Sequence, residues 1–223
     1  MDMSTESDRT PGPGMAASID IAVRQAASGG DPVLVSVIVP LAPNEPEPNA
    51  LLAMLPDSFE VLLVRGGTRA SSMNAAASRA SGRHLWFIHA DTAMAPGAVS
   101  ALLDRLKQPS AALHYFDLRF DHGGLMRITE LGVRFRSRIL GIPFGDQALC
   151  LPAAMFQSLG RYDETVAYGE DHRLVRRAHK AGLPVRPVGA TVSTSARKYR
   201  EQGWLRTTSR HLWLTLRQSL FER

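Results

Sequence analysis

Three polar clusters stand where apolar segments of this chain end: His89-Ala90-Asp91-Thr92, Gly145-Asp146-Gln147 and Tyr168-Gly169-Glu170-Asp171. In the first, the run Leu85-Trp86-Phe87-Ile88 leads straight into the polar residues, and Pro96-Gly97 then opens a helix. An apolar run of that length, bounded by turn signals, reads as a buried strand of a parallel sheet. Ligands of open α/β sheets bind just beyond the carboxyl ends of such strands. A carboxylate placed there suits holding a divalent cation against a diphosphate. Asp is equally a common turn and N-cap residue, so capping of the following turn is the competing reading of Asp91. A carboxylate at a loop–helix junction, as at Glu170-Asp171, carries the same capping alternative.

The elements that must position these groups are legible as alternation. Order is expected to begin at Val33–Val39, a β-branched run closed by Pro40, followed by a Pro- and Asn-rich loop and a short helix at 49–55. Phe59–Val64 reads as a second strand ending at Arg65-Gly66-Gly67, and the Ala-rich stretch Thr68–Ser81 as a helix. Leu85–Ala90 is the third strand. Strands alternating with helices predict a single α/β domain with a doubly wound, Rossmann-like mixed sheet and flanking helices. In the second half, 111–120 reads as a strand with one face near solvent and about 125–139 as a long basic helix. A polar Gly-rich loop at 141–147 and a short strand at 148–151 follow. Glu170–Ala181 is a helix whose acidic start and basic end agree with the helix macrodipole, and a strand is expected near 184–192.

Composition bounds the rest. The chain has 223 residues, 44% of them hydrophobic, enough for a continuous core. The single cysteine, Cys150, excludes an internal disulfide and the multi-Cys zinc patterns, making a cytoplasmic location the default. No run reaches the apolar length of a membrane span, and the acidic N-terminus lacks signal-peptide regions. The formal charge of +5 is uneven: residues 1–32 hold five acids against two arginines, a net of −3, leaving +8 on the remainder. A basic body suits phosphate-bearing substrates, anionic lipid or nucleic acid. The last lacks an aromatic-interleaved patch or a recognised motif, so no nucleic acid partner is expected. Residues 1–31, rich in Ser, Gly, Pro and Ala, read as a disordered leader with at most a helical turn at 18–27.

Taken in order, the clusters resemble the family 2 glycosyltransferases of the GT-A fold, over about residues 33–215. The likeness is closest to a small bacterial branch with an HADT metal strand, the radical-SAM/selenodomain-associated type. It rests on the first strand ending in Pro40, Gly66-Gly67, Met73-Asn74-Ala75, His89–Thr92, Leu118–Asp121, Ser137–Gly141, Gly145–Gln147, Glu170-Asp171 and Thr194–Arg197. The resemblance implies transfer of a sugar with inversion from a nucleotide-sugar donor, assisted by a divalent metal, Mn or Mg. The acceptor would be a sugar, a lipid-linked molecule or a small molecule. It makes Asp91 the metal-binding acid. His89 stands where many relatives place the first Asp of a DxD pair, as a second ligand, a phosphate donor or a plain strand-end residue. It makes Asp171 the base, with Glu170 as runner-up, and puts Asp146 and Gln147 beside the acceptor. Pro40, Arg65, Gly66, Asn74 and Arg197 fall on the donor side.

Two departures stand out. Relatives carry an acid before the Gly-Gly pair where this chain has Arg65. They also carry about one more helix and strand between Gly-Gly and Met-Asn, where this chain passes almost at once from Gly67 to Met73. The alternative function is therefore a catalytically weak, glycosyltransferase-like binding protein lacking part of the nucleotide pocket. The domain is expected to span 32–200. Beyond it, 201–223 predicts an amphipathic helix with Trp204, Leu212, Trp213 and Leu216 on its apolar face, packed on or beside the domain. Peripheral contact with the inner membrane face is the second reading of that helix.

Overall fold

The computed structural model describes residues 18–24, 32–121 and 126–194. They form one eight-stranded mixed sheet with helices on both faces. The strands are β1 (Asp20–Arg24), β2 (Val35–Leu41), β3 (Glu60–Arg65), β4 (His84–Phe87), β5 (Ala93–Met94), β6 (Leu113–Phe120), β7 (Cys150–Pro152) and β8 (Val185–Thr194). The helices are α1 (Asn49–Leu52), α2 (Arg69–Arg79), α3 (Ala98–Leu106), α4 (Met126–Arg138), α5 (Ala153–Ser158) and α6 (Glu170–Lys180). The sheet order is β1-β3-β2-β4-β7-β6-β8-β5. Strands β3, β2 and β4 run parallel, β7 is antiparallel to both neighbours, and β6 pairs parallel with β8.

Strand β2 is buried on both faces, as the central strand of a covered parallel sheet must be. Its Val35, Val37 and Val39 join Trp86, Phe116 and Leu102 on the α3 side, while Ile38 joins Phe87, Met73 and Val175 on the α2 and α6 side. Trp86 stacks on Phe116 at 5.5 Å between ring centroids, and its indole N–H donates to the Ala148 carbonyl at 3.2 Å. No helix among the described residues is long and apolar enough to cross a membrane.

The sequence reading needs correcting at the N-terminus. Residues 20–24 are not part of an unpacked leader or a helical turn. They form β1, antiparallel to β3, with Asp20 opposite Arg65 and Arg24 opposite Val61. The cause is non-local: β2 covers one edge of β3, and the chain's own N-terminal segment pairs with the other. Gly66, at φ +85°, lets the carbonyl of Ser18 approach so closely that a Cβ would lie 2.3 Å from it. The two-residue β5 was also unforeseen. The C-terminal helix expected at 201–223, Arg197 and the remainder of the leader lie outside the described residues.

Candidate functional site

Helix α2 begins against the helix macrodipole. Its first turn holds no acid, and its first residue is Arg69. Thr68 caps the helix by accepting the Ser71 N–H at 3.1 Å, and the Arg69 side chain reaches the carboxyl end of β4. There its guanidinium contacts His89 Nε2, while its Nε lies 3.0 Å from Glu170 Oε1 at the start of α6. One arginine thus joins the strand-end cluster to the acidic helix start.

Around this bridge the third cluster closes. Asp171 Oδ2 accepts the Gly145 N–H at 2.5 Å, and its Oδ1 accepts the His172 N–H at 2.7 Å. A Cβ on Gly145 would sit 3.1 Å from that Asp171 oxygen and 3.5 Å from Arg69 Nη2, so the loop and the acid are in close contact. Gln147 is buried. Its amide donates to the Phe116 carbonyl at 2.9 Å, and its Oε1 accepts from Arg136 at 3.3 Å. Arg136 also donates to the Ile142 carbonyl at 3.0 Å and lies 3.4 Å over the Phe144 ring, so α4 holds the 142–147 loop in place.

The electrostatics are those of acids gathered in partial shelter. Burial, and then the neighbouring Asp171 charge, push the Glu170 carboxyl above its ordinary range, against the lowering pull of Arg69. Asp146 is raised by burial, opposed by Arg136, and its Oδ1 is sealed from solvent with no hydrogen-bond partner among the described residues. Tyr162, fully enclosed beneath the same acids, is held well above the usual phenol range, first by burial and then by Asp171.

The expected residues among those described fall into four groups. His89, Glu170, Asp171, Asp146 and Gln147 converge as described. Asp91 is exposed just past β4, where its Oδ2 accepts from Thr194 Oγ1 of β8 at 3.1 Å. Pro40, Arg65 and Gly66 line the ends of β2 and β3, where Arg65 Nη1 donates to the Ala42 carbonyl at 2.7 Å. Asn74, expected on the donor side, lies within helix α2. Its side chain is buried and clamps the 162–164 loop, donating to the Tyr162 carbonyl at 2.9 Å and to Glu164 at 2.7 Å while accepting the Tyr162 N–H at 3.0 Å.

Among the described residues no three His, Cys, Asp or Glu side chains gather as a cage for a metal ion. The donor set fits a divalent cation carried in with a diphosphate, because such ions need only one or two carboxylates when phosphate oxygens complete the shell. Asp91 is the suitable ligand, whereas the Arg69 guanidinium stands against His89 Nε2. Arg69, Arg136 and Tyr162 were missed from the sequence. The available signal was an arginine in a first helical turn, where an acid is favoured.

A cavity of about 560 Å³ adjoins the far side of the site, between the carboxyl end of β6 and α4. It is lined by Asp117, Arg119, Asp121, Arg127, Glu130 and Leu131 among others.

The fold is a single mixed α/β domain with a curled mixed sheet and flanking helices, matching GT-A glycosyltransferase structures. Residues 50–158 match the family model described as glycosyl transferase family 2. Among solved structures the chain is similar to residues 1–349 of S. aureus TarS, with a TM-score of 0.56 and 12% identity over 74% of this chain and 61% of that one. A longer S. aureus TarS structure gives 0.54 and 12% over 73% of this chain and 36% of that one. TarS 1–349 in complex with UDP-GlcNAc gives 0.54 and 12%, covering 73% and 58%. This chain spans about three fifths or less of the length of these structures. No curated protein matches it in sequence.

Proposed function

We propose that this chain is a family 2 glycosyltransferase, moving a sugar with inversion from a nucleoside-diphosphate sugar to an acceptor hydroxyl. The observation that carries the reading is the Arg69 bridge, which ties the HADT strand end to the Glu170-Asp171 helix start beside the Gly145–Gln147 loop. A divalent ion, Mn or Mg, held by Asp91 with the donor diphosphate would neutralise the charge that grows on the leaving nucleoside diphosphate. Arg69 adds a fixed positive charge on the same side, positioned by His89 and Glu170. Asp171 takes the acceptor proton, its carboxylate oriented by the Gly145 and His172 N–H groups. Asp146 and Gln147 form the floor on the acceptor side. Pro40, Arg65 and Gly66 border the donor, with the Ser18 segment over Gly66. The UDP-GlcNAc complex of the fold relative TarS supports a nucleotide sugar as donor.

The acceptor side carries its own hint. Ile128, Leu131 and Phe135 of α4 are 56–66% exposed at helical spacing, with Ile139 and Leu140 exposed just beyond. Arg127 and Arg134 flank the stripe, and Leu131 and Arg134 also line the cavity beside β6. Apolar side chains beside arginines suit an anionic lipid surface, which favours a lipid-linked acceptor met by peripheral contact.

The test is calorimetric binding and donor hydrolysis with a panel of nucleotide sugars, with and without manganese. Metal-dependent binding of at least one donor is expected. Asp91→Asn should abolish the metal dependence, and Asp171→Asn should remove turnover while leaving donor binding intact. Absence of binding across the panel overturns the reading in favour of a glycosyltransferase-like protein without donor chemistry.

A further inference from the structure

At the opposite end of the sheet, where the strands begin, lies a second cavity of about 540 Å³. That size falls within the roughly 300–1,000 Å³ typical of small-ligand sites. Its wall is built from the first residues of β4 and β6 and from the carboxyl end of α3 with the loop after it. Two histidines form part of the floor: His84 opposite Pro152 and His114 opposite Cys150, both across the short strand β7. His114 is 3% exposed, and the Nδ1 atoms of both rings are sealed from solvent without a hydrogen-bond partner among the described residues. Orphaned buried polar atoms are rare enough in native proteins to call for an absent ligand, water or ion.

The charged side chains that line the cavity beside them are all basic. Arg83, Arg105 and Lys107 line the cavity, and Arg186 stands beside it, donating to Ser110 Oγ at 3.2 Å. Arg105 is fixed by donating its Nε–H to the Val188 carbonyl at 3.1 Å. The guanidinium of Arg83 has no hydrogen-bond or ion-pair partner among the described residues. The nearby acid is Asp104, already paired with Lys107 at 3.0 Å. The negative end of the α3 dipole also faces this region, and Arg105 and Lys107 more than offset its half charge. His114 is pushed down to about 4, first by burial and then by Arg105, His84 and Arg186.

We propose that this cavity binds a small phosphate-bearing anion, coordinated by Arg83, Arg105 and Lys107 with the two histidines beneath. Guanidinium and ammonium donors converging on one recess supply the charge-assisted hydrogen bonds that phosphate oxygens take. The volume leaves room for an organic group on the phosphate. The site is separate from the carboxyl-end cluster, so it stands or falls independently of the sugar-transfer reading.

The test uses the full chain and follows the His114 ring resonances by NMR, assigned by their loss in His114→Gln. Inorganic phosphate is one probe and glucose 6-phosphate the other. Either should move the His114 resonances and raise its protonation midpoint by about one pH unit, a tenfold preference for the protonated ring. Equal response to both probes identifies the phosphate group alone as ligand, and a tenfold tighter response to glucose 6-phosphate assigns the rest of the cavity to its organic part. The double variant Arg83→Gln/Lys107→Gln changes two exposed side chains, and circular dichroism checks that it folds. It should weaken the response at least tenfold, whereas Asp91→Asn should leave it unchanged. Resonances that stay still with both probes, or that move equally in the double variant, overturn the proposal.

Discussion

Arg69 has a consequence that can be measured apart from its neighbours. Its charge opposes the burial and the Asp171 charge that raise Glu170, so its removal leaves a sheltered acid with less reason to ionise. The Arg69 side chain is 41% exposed and its loss opens no core cavity. Arg69→Met should therefore fold normally, yet lower kcat by about 100-fold, the scale of losing one preorganised charge contact. The sign of the pH effect follows. The Arg69–Glu170 pair needs ionised Glu170, so activity falls as pH drops through a carboxyl value above the ordinary one. In Glu170→Gln, kcat should be low and that acid limb should vanish. A pH–rate profile of both variants beside the parent checks it, and an unchanged acid limb in Glu170→Gln would assign that limb elsewhere.

Among the elements, β1 depends most on a single backbone position. Gly66 combines a left-handed φ of +85° with a Cβ position only 2.3 Å from the Ser18 carbonyl. Gly66→Ala should cost about 1–2 kcal/mol from conformation alone and displace the 18–24 segment besides. Hydrogen exchange should then show lost protection in β1 with β2 and β4 unchanged. Gly182→Ala, with φ +71° and open space at its Cβ, should carry the conformational part only. A second expectation belongs to α4: Leu131→Glu/Phe135→Glu, altering residues already exposed, should abolish sedimentation with phosphatidylglycerol vesicles without lowering thermal stability. These elements also mark how far the sequence could be read. The runs at Val33–Val39, Phe59–Val64 and Leu85–Ala90 announce themselves because strands covered on both faces must be continuously apolar. The Gly169–Asp171 helix start was legible through its charge pattern. Asp20–Arg24 was not, because an edge strand with four of five residues exposed has no burial pattern to display, and its partner lies forty residues away. Arg69 was hidden for a related reason: its partners, His89 and Glu170, are 20 and 101 positions distant, and only the folded sheet brings them together.

For the whole molecule, the two ends of the sheet impose opposite demands on pH. The carboxyl end gathers acids that are raised, and the amino end gathers histidines that are lowered: His84 by burial and Arg83, His114 to about 4. A histidine lowered on folding binds its proton more readily in the unfolded chain, where it titrates near 6.5. Stability from this source is therefore complete above about pH 6.5 and is lost as pH falls toward 4. Taking His114 alone, the displacement amounts to about 2–3 kcal/mol by pH 4. For a chain of this size that is a fall in Tm of about 5–10 °C. His114→Gln cannot take up the proton, so its Tm should decline less steeply between pH 7 and pH 4 than that of the parent, although the variant starts lower from altered packing. The slope, not the absolute Tm, is the quantity to compare. Parallel slopes would show that His114 does not carry the acid sensitivity; the raised carboxylates of the other end cannot carry it either, because protonation of Glu170 and Asp146 relieves burial and favours the folded state as pH falls. Because those two groups oppose the histidines, the parent's net decline should be shallower than the histidine contribution alone, and Glu170→Gln should steepen it.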